Sequence, residues 1–124
     1  MSNDLRHRLG AAGEQQAAAH LERLGFSILA RNVRTRHGEL DIIATDHRAL
    51  VFCEVKTRRA GSSGHPLDGL HRDQRRRIRS MALAWLAETA EPAHRRSDLR
   101  FDAIAVLLDG RHRLVSLEHL EGCF

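Results

Sequence analysis

The sequence of 124 residues is short of lysine, tyrosine and cysteine, and each shortage narrows the classes of protein to which it can belong. Tyrosine is absent, which excludes recombinases and topoisomerases that attack DNA with a tyrosine nucleophile. One Trp and four Phe supply few surfaces on which single-stranded bases could stack. The two cysteines, Cys53 and Cys123, form neither a CxxC pair nor a disulfide framework, so we expect free thiols.

Long apolar runs are also missing. No stretch approaches the roughly 20 apolar residues that span a bilayer, so we expect no membrane segment. The N-terminal segment MSNDLRHRLGAAGE lacks the basic and apolar regions of a secretory signal, which favours the cytoplasm. The length favours a single domain over residues 1–124, because two cores would leave each half too small.

Positive charge is abundant and is supplied almost entirely by arginine. The chain has twenty Lys and Arg together and a formal net charge of +4, and Lys56 is its single lysine. This balance favours a polyanionic partner such as nucleic acid. An arginine-rich composition can equally reflect a bias in the coding sequence, and charge alone does not separate the two explanations.

Periodicity along the chain predicts two helices and five strands. Residues 4–24 form an amphipathic helix with an inward stripe that includes Leu9, Gly10, Gly13, Ala17, Leu21 and Leu24, and Gly25 ends it. A second helix is predicted over 71–89. The strand-like runs are FSILARNV, GELDIIATD, ALVFCEVKT, LRFDAIAVLL and HRLVSLEHL, with a loop over 58–69 and a hairpin turn at Asp109-Gly110.

The predicted order of elements is therefore α-β-β-β-α-β-β. The first three strands should form a meander, and a helical crossover should make the third and fourth strands parallel. The fold class is α/β, with a mixed central sheet flanked by helices.

Three charged residues of the second and third strands are predicted to lie together. Alternation along VFCEVKT directs Glu54 and Lys56 to the same face as Phe52. In the preceding strand Glu39, Asp41 and Ile43 should face one side, and Leu40 and Ile42 the other. If the two strands pair as a hairpin, Asp41 lies near Glu54.

Two neighbouring carboxylates repel each other unless a cation or proton lies between them. Mg²⁺ or Mn²⁺ suits Asp41 and Glu54, with the carbonyl of Val55 as a further oxygen. Lys56 would then attend the attacking water and offset charge on a phosphate. A lysine amine can lose its proton when desolvated, whereas a guanidinium cannot, which explains a lysine at this one position. Glu14 borders the apolar stripe of the first helix and is predicted to assist in placing the metal or the water.

Simpler explanations exist for these residues. A Glu-x-Lys pattern on an edge strand is often a solvated face, and Glu14 could be an ordinary surface residue. The nine histidines lack the HxxxH spacing of a zinc site, and neither GxxxxGK[ST] nor GxGxxG occurs.

Arginines around the acidic strands and on the second helix are candidate phosphate contacts. Arg31, Arg34 and Arg36 precede the strand that carries Asp41, and Arg58 and Arg59 follow Lys56. The positions predicted to bind nucleic acid are Arg31, Arg34, Arg36, Arg58, Arg72, Gln74, Arg75 and Arg76. Solvated faces are the simpler explanation for the helical arginines.

Taken together, GEQQAAAHLERLGFSILARNVRTRHGELDIIATD and LVFCEVKTR resemble the YraN-like family, also called UPF0102. The likeness continues through HRDQRRRIRSMALAWL and RFDAIAV to LEHLEGCF. Members of this family look like nucleases of the PD-(D/E)XK, or restriction-endonuclease-like, superfamily, and are related to archaeal Holliday-junction resolvases. The resemblance implies an αβββαβ core.

By the same resemblance, Asp41, Glu54 and Lys56 match the acid, acid and lysine of the nuclease signature, and Glu14 matches a helical glutamate of resolvase-like members. The family often has lysine where this chain has Gln74, and the loop SSGHP lacks the aromatic that usually precedes its glycine. The implied activity is metal-dependent endonuclease cleavage of DNA, including branched or recombination intermediates in DNA repair. Resolvases often act as symmetric pairs, so a homodimer is compatible with this likeness. The alternative is a non-catalytic nucleic-acid-binding accessory protein with the same fold.

Overall fold

A computed structural model describes residues 3–62, 64–66, 72–89 and 98–124, and for residues 72 and 73 it describes the backbone alone. These residues form two helices and five strands in the predicted order: α1 (Asn3–Arg23), β1 (Ser27–Thr35), β2 (Gly38–Thr45), β3 (Ala49–Arg59), α2 (Arg72–Glu88), β4 (Asp98–Leu108) and β5 (Leu114–Leu120). The chain is an α/β fold, as the sequence predicts.

The five strands form one mixed sheet in the order β1-β2-β3-β4-β5. The β1–β2, β2–β3 and β4–β5 pairs are antiparallel, whereas β3 and β4 run parallel. The crossover through α2 produces that parallel pair, because parallel neighbours cannot be joined by a tight turn. The predicted meander and the predicted parallel pair are therefore both confirmed.

A separate apolar core covers each face of the sheet. On one face α1 packs against alternate side chains of β3 and β4, including Val51, Cys53 and Val106. On the other face α2 packs through Ile78 and Met81 on residues that include Phe52. Buried Cys53 and half-buried Cys123 are free thiols, as predicted. No helix in the described part of the chain is long and apolar enough to cross a membrane.

Helix α1 buries most of the predicted stripe, through Leu9, Gly13, Ala17 and Leu21. Leu24 is 52% exposed, because the helix has already ended at Arg23. Gly25 has a φ of 97°, and the amide of Phe26 donates to the carbonyl oxygen of Leu21 at 3.0 Å. This 6→1 bond is the Schellman cap that a glycine favours, so Gly25 ends the helix as predicted.

Two predicted connections differ from the structure. β3 continues to Arg59, so the predicted loop begins two residues later, and its residues 63 and 67–69 lie outside the described part of the chain. The turn after β4 is wider than an Asp-Gly pair: the Asp109 carboxylate accepts bonds from the amides of Arg111 and Arg113, and His112 has a φ of 60°. The side chain of Asp109 thus organises a longer loop in place of a two-residue turn.

Asp102 is fully buried and joins β4 to β5 and to the C-terminal turn. Arg100 binds it through two nitrogens, the Gly122 amide donates to it at 2.9 Å, and His119 Nε2 lies 2.7 Å from its Oδ2. His119 Nδ1 lies 3.0 Å from His20 Nε2, which ties the end of α1 to the same network. Asp102 therefore connects three parts of the fold: β4, β5 and the C-terminal turn.

Candidate functional site

Strand β2 separates from β3 at Asp41. The β2–β3 pairing ends at Ile42 and Cys53, whereas the β1–β2 pairing continues to Thr35 and Gly38. The hairpin of β1 and β2 therefore diverges from the rest of the sheet and opens a fork between β2 and β3. Asp41 lies at this fork, and its Oδ2 accepts a hydrogen bond from the backbone amide of Val55 at 2.7 Å.

The predicted alternation of side chains in β2 is wrong at this point. Leu40 and Ile43 share the core beneath α2, while Ile42 packs in the core beneath α1. The ladder between β1 and β2 skips the pair of Asn32 and Asp41, and Asn32 has a φ of 52°. An asparagine in the left-handed region breaks the pleat of β1, and the facing alternation of β2 breaks with it.

Burial is the largest influence on the Asp41 carboxylate and, with the nearby charges of Glu54 and Glu14, raises its pKa to about 7. The Val55 amide and the Lys56 ammonium oppose this shift. Asp41 thus lies where a negative charge is poorly solvated and faces like charges. A bound proton or cation relieves both effects.

Glu54 and Lys56 form the second part of the site. The Lys56 Nζ lies 3.2 Å from Glu54 Oε1, with side-chain exposures of 32% and 11% respectively. The opposing packing of Phe52 and Val55 in β3 agrees with the predicted alternation, which directs Glu54 and Lys56 to the face of α2. Lys56 can reach solvent, while Glu54 is held almost entirely inside.

Glu14 approaches from the α1 side of the fork. Burial raises its pKa, Glu39 adds to the shift, and a side-chain hydrogen bond with Asn32 and the charge of Arg31 oppose it. Glu14 also contributes to the electrostatic environment of Asp41. Among the described residues, no three or more His, Cys, Asp or Glu side chains gather closely enough to hold a metal by themselves.

The arginines predicted to contact phosphate fall into two sets. Arg34 and Arg58 line cavities beside Glu14. Arg31 donates to Gln15 at 3.0 Å, and Arg36 donates to the neighbouring His37.

The remaining predicted contacts lie on α2. Arg75 and Arg76 are exposed and line neither of those cavities, and the side chain of Arg72 lies outside the described residues. The Gln74 Oε1 is buried without a hydrogen-bond partner among the described residues. A buried amide oxygen in that state is costly, which marks Gln74 as a position that a ligand could satisfy.

Two residues of this region, Asn32 and Arg6, are not among the site residues predicted from the sequence. Asn32 opposes Asp41 and bonds Glu14, and the signal for it is an asparagine in the middle of a strand, where its propensity is poor. Arg6 lines both cavities beside Glu14. It precedes Gly10 by four residues and therefore shares its helix face, which the spacing could have indicated.

The fold has an αβββαβ core, with Asp41 on β2 at the fork and with Glu54 and Lys56 on β3. This arrangement defines a restriction-endonuclease-like α/β protein. Residues 13–106 match the model of the family described as "Uncharacterised protein family UPF0102". The chain belongs to this family, which confirms the resemblance carried by GELDIIA and VFCEVKTR.

Individual relatives agree. The chain is 44% identical to a UPF0102 protein of Acidothermus cellulolyticus over 129 residues, covering 96% of this chain and 95% of the relative. It is 46% identical to one from Nocardia farcinica, covering 94% and 88%, and 42% identical to one from Chlorobium phaeobacteroides, covering 95% and 94%. Similarity therefore extends over almost the whole chain.

Proposed function

We propose that this protein is a metal-dependent nuclease that hydrolyses phosphodiester bonds in DNA, with branched or recombination intermediates as its expected substrates. The observation that carries this proposal is the meeting of Asp41, Glu54 and Lys56 at the fork of β2 and β3. Asp41 is fixed by the Val55 amide at 2.7 Å, and Lys56 Nζ lies 3.2 Å from Glu54. A solvated strand face does not require a carboxylate as strongly desolvated as Asp41.

The donor set fits Mg²⁺ or Mn²⁺ better than a transition metal of the zinc type. Asp41 and Glu54 supply hard carboxylate oxygens, and the described residues gather no group of three or more ligands there. Mg²⁺ typically keeps several waters and uses one or two carboxylates together with substrate phosphate. When bound, such an ion would polarise the phosphate and lower the pKa of its waters.

The residues of the chain then have distinct tasks. Asp41 and Glu54 would hold the ion, and the raised pKa of Asp41 means that ion binding competes with a proton near neutral pH. Lys56, which is partly exposed beside Glu54, would orient the attacking water and offset negative charge on the phosphate. Glu14 would assist from the α1 side, where its charge influences Asp41.

The test is a cleavage assay on labelled linear, flapped and four-way DNA, with Mg²⁺, with Mn²⁺ and with EDTA. We expect metal-dependent cleavage by the wild type and a loss of at least about a hundredfold in Glu54→Gln, which keeps the shape of the side chain but removes its charge. A circular dichroism spectrum and a melting curve establish that the variant is folded. If Glu54→Gln cleaves as fast as the wild type, the nuclease assignment fails.

A further inference from the structure

Helix α1 carries two interior glycines whose surroundings differ. A Cβ at Gly13 would overlap the side chain of Thr57, so the close approach of α1 to β3 requires glycine there. A Cβ at Gly10 would meet no atom within 4 Å. Glycine in a helix costs about 0.5–1 kcal/mol relative to alanine, and the packing of this fold does not explain that cost at position 10.

Gly10 lies between two cavities on the surface of the protein. One cavity of about 330 Å³ includes Arg58 and Arg59 in its lining, and another of about 610 Å³ includes Arg34. Arg6, Gly10 and Glu14 line both. The two cavities therefore flank the same stretch of α1. Gly10 lies between them, and because glycine has no side chain, nothing projects there to divide one cavity from the other.

The charges around this stretch favour a phosphate ligand. Arg58 and Arg59 lie on one side, Arg34 on the other and Arg6 between them. Arg34 has one acidic neighbour, Glu39, at 3.9 Å, but both side chains are well exposed, at 88% and 42%. An exposed pair at that distance contributes little, so the Arg34 guanidinium can exchange this partner for a phosphate.

The lining also indicates how a nucleic acid would be held. Neither Phe nor Trp lines either cavity in the described part of the chain, and the imidazole of His7 is the one aromatic ring among the lining residues, so bases have little aromatic surface on which to stack. A groove of this composition binds a strand through its phosphates and does so with little regard to sequence. Glycine is the residue that allows a ligand to approach a backbone closely.

We propose that Gly10 forms the floor of a groove that holds the phosphodiester backbone of one nucleic-acid strand, running from Arg58 and Arg59 past Arg6 to Arg34. The groove passes Glu14 and would deliver the strand to the fork at Asp41. This inference rests on the proposed nuclease function for its biological meaning. Its physical content, the binding of a single strand across Gly10, can be measured without catalysis.

The experiment uses side-chain size at position 10 as an obstruction. Gly10→Ala, Gly10→Leu and Gly10→Trp add increasing volume where the fold leaves space, so all three should be folded and at least as stable as the wild type. Leu24→Trp is the matched control, because it adds a tryptophan at an exposed position just beyond the other end of α1. Affinity is measured by fluorescence anisotropy with a fluorescein-labelled oligothymidylate in low salt with EDTA.

We expect affinity to fall in the order Ala, Leu, Trp, with a loss of about tenfold or more for Gly10→Trp, or 1.4 kcal/mol. Leu24→Trp should bind within about twofold of the wild type. Equal binding by wild type and Gly10→Trp, or no binding by the wild type, overturns the groove. A duplex of the same length serves as the competing ligand, and a Gly10→Trp defect confined to the duplex would overturn the single-strand assignment.

Binding and cleavage separate the two proposals. If Gly10→Trp loses affinity while the wild type shows no metal-dependent cleavage, the groove is supported and the nuclease function fails. If the wild type cleaves and Gly10→Trp both binds and cleaves normally, the groove fails alone. The binding constant of Arg6→Gln can also be measured at several salt concentrations. If the slope of its logarithm against the logarithm of the salt concentration is smaller than in the wild type by about 0.7, Arg6 makes one phosphate contact.

Discussion

Lys56 is the one place where this chain uses lysine in preference to arginine, and its neighbours explain why. Its Nζ lies 3.2 Å from a glutamate that is almost entirely enclosed. Arginine would bring a broad, planar cation that binds a carboxylate through two nitrogens, and would therefore occupy Glu54 more completely. A compact ammonium leaves Glu54 oxygens available for a metal ion.

Two substitutions of Lys56 distinguish the effect of its positive charge from that of its amine group. We expect Lys56→Ala to lower the cleavage rate by about a hundredfold or more, because in the proposed mechanism it removes the cation that would attend the water and the phosphate. Lys56→Arg keeps the positive charge but should not restore cleavage. The rate is measured on the best DNA substrate under single-turnover conditions, and cleavage by Lys56→Ala at the wild-type rate would remove Lys56 from the mechanism.

Asp41 makes the stability of the protein depend on pH. Its pKa is about 7 in the folded chain against an ordinary value of 3.8, so the folded state binds the proton more tightly than the unfolded state. Between these two values the folded state holds more protons, and the free energy of unfolding therefore decreases as the pH rises from about 4 to about 7. The ionised, desolvated carboxylate is the cause.

Asp41→Asn should remove this penalty. Asparagine keeps an oxygen that can accept the Val55 amide but carries no charge, so at pH 8 without metal the variant should be more stable, by on the order of 2 kcal/mol. Urea denaturation at pH 5 and pH 8 measures the difference. If the wild type and Asp41→Asn respond identically to pH, Asp41 is not desolvated as described.

At the scale of the elements, α1 approaches β3 so closely at Gly13 that a Cβ there would overlap the side chain of Thr57. Gly13→Ala should destabilise the protein by about 1–3 kcal/mol, because the added methyl overlaps Thr57. The same substitution at Gly10, where nothing lies within 4 Å, should stabilise it by about 0.5–1 kcal/mol. Chemical denaturation of both variants tests the pair, and a Thr57→Ala background should recover part of the loss at Gly13. Equal effects at the two positions would contradict the packing described for α1.

The attachment of β5 depends on Asp102. Burial alone would raise the pKa of this carboxyl, but hydrogen bonds from His119, Arg100 and Gly122 together outweigh it and lower the pKa. Its contribution to stability is therefore present above about pH 4, the region of its ordinary pKa, and is lost as the pH falls.

Asp102→Ala should cost about 3–5 kcal/mol at neutral pH, since it leaves Arg100 and His119 without their shared partner. Urea denaturation gives the value, and hydrogen exchange should show increased opening of the β5 amides. A loss below about 1 kcal/mol would mean that the network contributes little.

The sequence predicted the elements well because their signals are local. The inward residues Leu9, Ala17 and Leu21 recur at helical spacing, and Gly25 ends the helix through the left-handed conformation that glycine favours. Strand alternation correctly separated Phe52 from Val55 in β3. It failed in β2, where the positive φ of Asn32 on the neighbouring strand shifts the pattern. Because the backbone conformation of Asn32 belongs to β1, the residue pattern of β2 alone could not reveal its effect.

At the scale of the whole molecule, the site exists because the sheet divides. β3 and β4 remain paired from Ala49–Asp98 to Arg59–Leu108, while β2 leaves β3 after Ile42 and Cys53. The divergence leaves the Val55 amide without a backbone partner on β2, and this amide donates its hydrogen bond to the Asp41 carboxylate instead. The sequence could indicate that Asp41 and Glu54 lie close together. The sequence could not predict the opening between the strands or the position of Glu14 beside it, because both depend on how the strands and α1 are arranged in space.

The claim that Asp41 and Glu54 bind one divalent ion is tested most directly by calorimetric titration of Mn²⁺ into the protein at pH 7.5. The wild type should bind about one equivalent and release protons as it does so, because Asp41 has a pKa near 7. Asp41→Asn should bind at least about tenfold more weakly and release fewer protons. The absence of binding by the wild type at millimolar Mn²⁺, or equal binding by Asp41→Asn, would contradict the account.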